Sequence, residues 1–137
     1  CKVLQLCVLF EIFDIFCVIL GTFFFIIIVS QAGLAIMQNG LAAQAGSRDS
    51  LPEPTPVRNR LQRLSANLQE NLVMFTAVVL VANAAGVSNS TTVLGATIFF
   101  YARVGHAVVY AAGWPMIRPL FYFAGVIATG MILFQVL

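Results

Sequence analysis

Residues 15–36 form an apolar run that contains no Asp, Glu, Lys or Arg. A helix needs about 20 such residues to cross the hydrocarbon core of a bilayer, so this run is long enough. Three more apolar runs follow, at about 61–85, 91–112 and 117–137. Only 9% of the 137 residues are charged, whereas a soluble domain has about 25%. The sequence therefore predicts an integral, multi-pass membrane protein: one all-α domain over residues 1–137, folded as a four-transmembrane-helix bundle.

The length of the first run predicts a membrane span that is retained, and the composition of the next segment predicts a loop. The run is longer than the apolar core of a cleaved signal peptide, which has about 7–15 residues. The connection at about 38–58 is rich in Gly, Ala, Ser and Pro. Its prolines alternate at positions 52, 54 and 56, which favours an extended path. Glu11 and Asp14 precede the first run in a mixed segment that either lies at the membrane interface or extends the helix. We expect the two residues to cap the span or to contact a partner.

The basic residues predict how the chain is oriented in the membrane. Lys and Arg concentrate in short loops on the cytoplasmic side. The first and third loops are therefore predicted to be cytoplasmic, with both chain termini on the other side. The arginines on which this prediction rests are Arg48, Arg58, Arg60, Arg63 and Arg118. The simplest interpretation of Arg48, Arg58 and Arg60 is that they set the topology or contact lipid headgroups.

Two sets of polar residues interrupt the second and third runs, and each set lies on one helical face. They are Arg63, Asn67 and Glu70 in the second run, and Arg103, His106 and Tyr110 in the third. A charged side chain at the centre of a membrane costs about 2.5–3.5 kcal/mol and often marks a functional site. At 1.5 Å per residue the two sets reach similar depths near the cytoplasmic side. We expect them to face protein rather than lipid.

These residues allow a structural and a functional interpretation. Glu70 and Arg103 could form a buried ion pair that fixes helix packing, with Asn67 as a hydrogen-bond donor between helices, and His106 could be a hydrogen-bonded packing residue. Arginine nevertheless outnumbers carboxylate in this region, which favours an anionic ligand. The single His and three Cys show no metal-ligand spacing. The net charge of +2 is too small to suggest nucleic acid.

The spacing of these residues resembles the MAPEG family (membrane-associated proteins in eicosanoid and glutathione metabolism) over about residues 35–137. The resemblance rests on Arg63-x3-Asn67-x2-Glu70-Asn71 with Phe75, on Arg103-x2-His106-x3-Tyr110, and on Gly113, Arg118 and Tyr122. It implies a homotrimer with glutathione bound between subunits and a lipophilic substrate that arrives from the membrane. By the same resemblance, Arg118 would stabilise the thiolate and Tyr110 would donate to the sulfur or to the substrate. The implied glutathione contacts are Arg63, Asn67, Glu70, Arg103, His106 and Tyr122.

The leading hypothesis is a glutathione-dependent transferase or peroxidase that acts on lipophilic electrophiles or lipid hydroperoxides. The segment 46–49 (Gly-Ser-Arg-Asp) resembles bacterial members, which implies a bacterial inner membrane. The alternative is a non-catalytic protein that binds membrane lipids as a scaffold, or an accessory subunit of a larger membrane complex. A third hypothesis, an ion or proton carrier built on Glu70, Arg103 and His106, is weakened because no polar path continues past mid-membrane.

Overall fold

The computed structural model describes residues 2–47 and 51–137, with side chains from Glu11 onward except those of Asp14 and Ala111. Cys1, Arg48 and Asp49 lie outside the described residues. Within the described part, every regular element is an α-helix. The helices are α1 (Lys2–Asn39), α2 (Leu41–Ala45), α3 (Pro56–Ala84), α4 (Ser90–Ala112) and α5 (Arg118–Leu133).

Three of these helices contain segments long and apolar enough to cross a membrane: Glu11–Asn39, Pro56–Ala84 and Ser90–Tyr110. The all-α membrane architecture expected from the sequence is therefore confirmed for the described residues. The fourth helix is shorter than the predicted run at 117–137. α5 has 16 residues, about 24 Å of helix, against a hydrocarbon core of about 30 Å.

The connection between the first two long helices contains more helix than the sequence predicts. The segment predicted as a loop at about 38–58 includes α2 and the first turn of α3. α3 begins at Pro56 because proline fits the first helical position, where its missing N–H is not needed. The hydroxyl of Thr55 caps this end by accepting a hydrogen bond from the backbone N–H of Arg58, at 3.4 Å. The alternating prolines therefore lead into a helix.

α4 and α5 form an antiparallel hairpin that makes the most extensive helix contact in the fold. Asn89 begins α4 with a capping box, in which Asn89 and Thr92 exchange two hydrogen bonds of 3.0 Å. Gly113, with φ of 76°, ends α4 in the left-handed conformation that glycine adopts without steric cost. At the open end of the hairpin, Asn89 Nδ2 donates to Gln135 Oε1 at 2.8 Å.

The core consists of two clusters stacked along the helices. In the first, the rings of Phe75 on α3 and Phe99 on α4 stack with centroids 3.8 Å apart. Cys17 packs against this cluster, as expected of a small apolar residue. The second cluster lies where α1, α3 and α4 meet, and it contains Ile27, Leu64, Leu68, Ala107 and Tyr110. It places Tyr110 inside the bundle.

Candidate functional site

Arg103 on α4 joins three helices through one buried guanidinium group. Its side chain is 2% exposed. Nη1 donates to Asn67 Oδ1 on α3 at 3.2 Å. Nη2 donates to two backbone carbonyls of α5, that of Phe121 at 3.0 Å and that of Tyr122 at 3.3 Å. Arginine presents several donors in a rigid plane, so one residue holds α3 and α5 against α4.

A glycine on α5 makes room for this guanidinium. A Cβ on Gly125 would overlap Arg103, coming within 2.8 Å of Cζ. Cζ also lies 5.4 Å from the ring centroid of Phe99, close enough for a cation–π contact. Arg103 is therefore enclosed by protein on several sides, and its surroundings fit a packing role.

The predicted partner of Arg103 is not the observed one. Glu70 is exposed on α3 and forms no ion pair within residues 2–47 and 51–137. The hypothesis of a buried Glu70–Arg103 pair is therefore wrong for the described part of the chain. Asn67 does join the helices, but it accepts a hydrogen bond from Arg103 rather than donating one.

Glu70 instead lies at a groove between α3 and α5. The groove has a volume of about 360 Å³. Glu70, Asn71 and Tyr122 are the most polar of the residues that line it, and Asn71 Nδ2 donates to the backbone carbonyl of Asn67 at 2.8 Å. The remaining lining residues are mainly apolar or small: Met74, Val78, Val126, Thr129, Gly130 and Leu133. A ligand with a polar group and an apolar chain would contact residues of matching polarity in this groove.

Arg118 occupies the first turn of α5 and lies over an aromatic ring of α4. Its Cζ is 4.3 Å from the ring centroid of Tyr110. A cation at a helix N-terminus is unfavourable because it meets the positive end of the helix dipole. The electron-rich face of Tyr110 offsets part of this cost. Arg118 Nε is buried and has no hydrogen-bond partner among the described residues. Arg118 is therefore held in place without an acidic partner among the described residues.

His106 is buried at 6% exposure and packs against Tyr110, with ring centroids 5.6 Å apart. This contact is aromatic, and within the described residues no hydrogen bond to the imidazole is formed. His106 thus packs inside the bundle against a ring, and the hydrogen bond expected of it is not formed with a described residue. Arg63 is exposed on α3 and lies outside these contacts.

The structure thus distributes the predicted site residues over three places. Asn67 and Arg103 meet inside the bundle, while His106, Tyr110 and Arg118 meet between α4 and the start of α5. Glu70 and Tyr122 line the groove between α3 and α5. Sequence reasoning missed Gly125, whose role becomes visible only once Arg103 is known to face it. Among the described residues, no cluster of three His, Cys, Asp or Glu side chains could hold a metal ion.

Comparison with known proteins identifies one family. The model of the MAPEG family matches residues 15–137. The match confirms the resemblance found in the later helices and extends it into α1, where the motifs gave no specific signal. Neither the curated proteins nor the solved structures contain a match to this chain.

Proposed function

Because the chain belongs to the MAPEG family, we propose that it is a glutathione-dependent membrane transferase or peroxidase acting on lipophilic electrophiles or lipid hydroperoxides. The observation that carries this proposal is the placement of Arg118. It is a half-buried cation, fixed against Tyr110, that has no acidic partner in the described chain. A cation held in this way is ready for an anionic ligand.

Polar residues on α3 and α5 fit the charges of glutathione, which has two carboxylates, one ammonium and one thiol. Arg63 and Arg118 are cations without acidic partners in the described part, and they could each meet an anionic group of the ligand. Glu70 offers a carboxylate for the ammonium, and Tyr122 offers a hydroxyl at the same groove. Arg118 and Tyr122 are four residues apart on α5, so they lie on one face of the helix.

Glutathione would supply a thiol, whose deprotonated form is the nucleophile. Arg118 would favour negative charge on the sulfur through its own positive charge. Tyr110 would hold Arg118 in position, and its hydroxyl could donate to the sulfur or to the substrate. The apolar part of the groove would orient a lipophilic electrophile and so bring the reactants together. We assign Arg103, Asn67 and His106 to packing that supports this arrangement.

We extend the proposal to the assembly and its place in the cell. Apolar side chains such as Val73, Met74 and Leu80 are exposed on α3 in the single chain. Such a surface suits contact with lipid or with another subunit. We propose a homotrimer in which α5 also crosses the membrane as the fourth helix, and in which the sites open to the cytoplasmic side of a bacterial inner membrane. A larger membrane complex is an alternative assembly.

Arg118→Leu tests the proposal directly. The variant and wild type would be purified in detergent and assayed for conjugation of a generic lipophilic electrophile to glutathione. We expect the variant to lose turnover. Its stability, measured without glutathione, should stay at the wild-type level. Arg60→Leu is the matched control, because Arg60 is an exposed arginine on α3 away from these contacts. Equal turnover in Arg118→Leu and wild type would remove Arg118 from the mechanism.

The non-catalytic alternative is favoured by one observation. Arg103, which the family resemblance assigns to ligand binding, is used for packing between helices. If the other cations serve lipid headgroups in the same chain, a scaffold that binds lipid would result. Titration calorimetry of the purified protein with millimolar glutathione separates the two functions. Absence of heat, together with phospholipid that stays bound through purification, would favour the scaffold.

A further inference from the structure

A second cavity lies between α1, α2 and the start of α3, apart from the candidate site described above. Its volume is about 330 Å³. Unlike the groove between α3 and α5, it presents polar and apolar surface in similar amounts. We call it the loop-side cavity, and it is lined by Gln31, Ala32, Ala35, Ile36, Gln44, Arg58 and Gln62. Three amides and one guanidinium contribute hydrogen-bond donors, and none of the lining residues that the structure describes is acidic.

Arg58 is the only cation among these lining residues, and it is not neutralised. Its Nη1 donates to Gln38 Oε1 at 2.7 Å, and its Nε is buried without a partner among the described residues. Within residues 2–47 and 51–137, Arg58 forms no ion pair with a carboxylate. Gln38 is fixed in turn, because its Nε2 donates to the backbone carbonyl of Glu53 at 2.9 Å. Arg58 is therefore positioned by a neutral group, and no carboxylate among the described residues balances its charge.

The amides around the cavity leave further donors unused. Gln44 Nε2 is buried without a partner in the described chain. Gln31 Nε2 is already engaged, since it donates to Ser65 Oγ at 2.9 Å and to the carbonyl of Leu61 at 3.3 Å. Gln62 follows Arg58 by one helical turn, so both reach the same side of α3. Unused donors beside an arginine with no carboxylate partner among the described residues favour an acceptor with several oxygen atoms and a negative charge.

We propose that the loop-side cavity binds a phosphate group through Arg58, Gln44 and Gln62. A phosphate has oxygen atoms enough for the planar guanidinium and for both amides. The ligand is either the phosphate of a lipid headgroup or a free phosphate. A headgroup can reach the cavity because the cavity lies at the end of the membrane-spanning part of α1. The site is independent of the thiol site, whose residues lie on other faces of α3, α4 and α5.

The experiment has two arms that separate these sources. In the first arm, the full chain in a non-ionic detergent is titrated with inorganic phosphate and followed by calorimetry. In the second arm, the full chain is placed in phosphatidylcholine nanodiscs that contain some phosphatidic acid. It is then released from the nanodiscs, and native mass spectrometry detects any phosphatidic acid that stays bound. Binding in the second arm alone assigns a lipid headgroup, and binding in the first assigns a free phosphate. Binding in neither arm overturns the proposal.

Variants identify the residues responsible. Arg58→Gln is expected to weaken binding at least 10-fold, because it removes the charge and the planar donor set. Arg60→Gln is the matched control and should change binding less than 2-fold, since Arg60 is exposed two residues further along α3. Equal effects of these two substitutions would overturn the proposal.

A second substitution keeps the test decisive if Arg58→Gln fails to fold. Gln62→Glu places a carboxylate one turn from Arg58, where it would pair with the guanidinium and repel the anion. Retained binding in Gln62→Glu would contradict the proposal. Glutathione binding measured on the same preparations should stay unchanged, so failure of the phosphate site and failure of the thiol site give different results.

Discussion

The guanidinium carbon of Arg118 lies 4.3 Å from the ring centroid of Tyr110. The cation that we propose to act on the thiol is thus held by the helix that precedes it. Gly113, three residues after Tyr110, ends α4 in a left-handed turn before the chain reaches Arg118. The turn is closed by two backbone hydrogen bonds, from Gly113 N to Tyr110 O and from Trp114 N to Val109 O, as in a Schellman motif.

Substitutions of Tyr110 separate the ring from the hydroxyl. Tyr110→Phe keeps the ring under Arg118, whereas Tyr110→Leu removes it. A cation–π contact contributes about 0.5–2 kcal/mol, so we expect Tyr110→Leu to lower kcat/KM about 2- to 30-fold below the value for Tyr110→Phe. The measurement is steady-state conjugation of glutathione to a lipophilic electrophile. Equal losses in the two variants would assign the effect to the hydroxyl alone.

Gly125→Ala tests the space that Arg103 occupies. The added methyl group would overlap the guanidinium, and overpacking of this kind costs about 1–3 kcal/mol. We expect a lower midpoint of thermal unfolding in detergent. Gly130→Ala on the same helix is the control, because a Cβ there meets no atom within 4 Å. That substitution should be neutral or slightly stabilising, since alanine favours a helix over glycine. Similar midpoints for both variants would refute the close approach.

The partner of Arg103 can be identified by double-mutant cycles. Residues that share a hydrogen bond usually show a coupling energy of about 0.5–3 kcal/mol in stability. We expect coupling of this size between Arg103→Met and Asn67→Ala, measured by denaturant unfolding in mixed micelles. Between Arg103→Met and Glu70→Gln we expect coupling near zero. The reverse ranking would restore the ion pair that the sequence favours.

The groove between α3 and α5 should select substrates by their apolar length. Val126→Phe adds bulk to the lining of the groove, beyond its polar end. If the groove holds the electrophile, this variant should lose kcat/KM for long-chain electrophiles more than for short ones. Val104→Phe is the control, since Val104 lines a separate apolar groove between α1 and α4. A loss that is independent of chain length in Val126→Phe would place the substrate elsewhere.

The family and the membrane class could be predicted from the sequence because they depend on local patterns. The apolar runs and the spacing of Asn67, Arg103 and Tyr110 are visible in the chain itself. The partner of Arg103 could not be predicted in the same way. Charge alone favours Glu70, whereas the observed acceptors include backbone carbonyls of α5 that any sequence would supply. Which carbonyls face Arg103 depends on the close packing that Gly125 allows.

The helix boundaries, too, could be predicted only in part from the sequence. The prolines at 52, 54 and 56 form one pattern, but only the last begins a helix. Pro56 differs because Thr55 precedes it as a cap. α2 was harder still to predict. Its five residues, Leu41–Ala45, are too few to show a helical periodicity in the sequence.

The neutral surroundings of Arg103 have a consequence for acid tolerance. All three of its hydrogen-bond acceptors are amide oxygens, those of Asn67, Phe121 and Tyr122, and none of them gains a proton in the ordinary acidic range. An arginine–glutamate pair in the same position would lose its attraction when the carboxylate became protonated. Contact of α4 with α3 and α5 through Arg103 should therefore persist in acidic solution, where the stabilisation from a paired carboxylate would be lost.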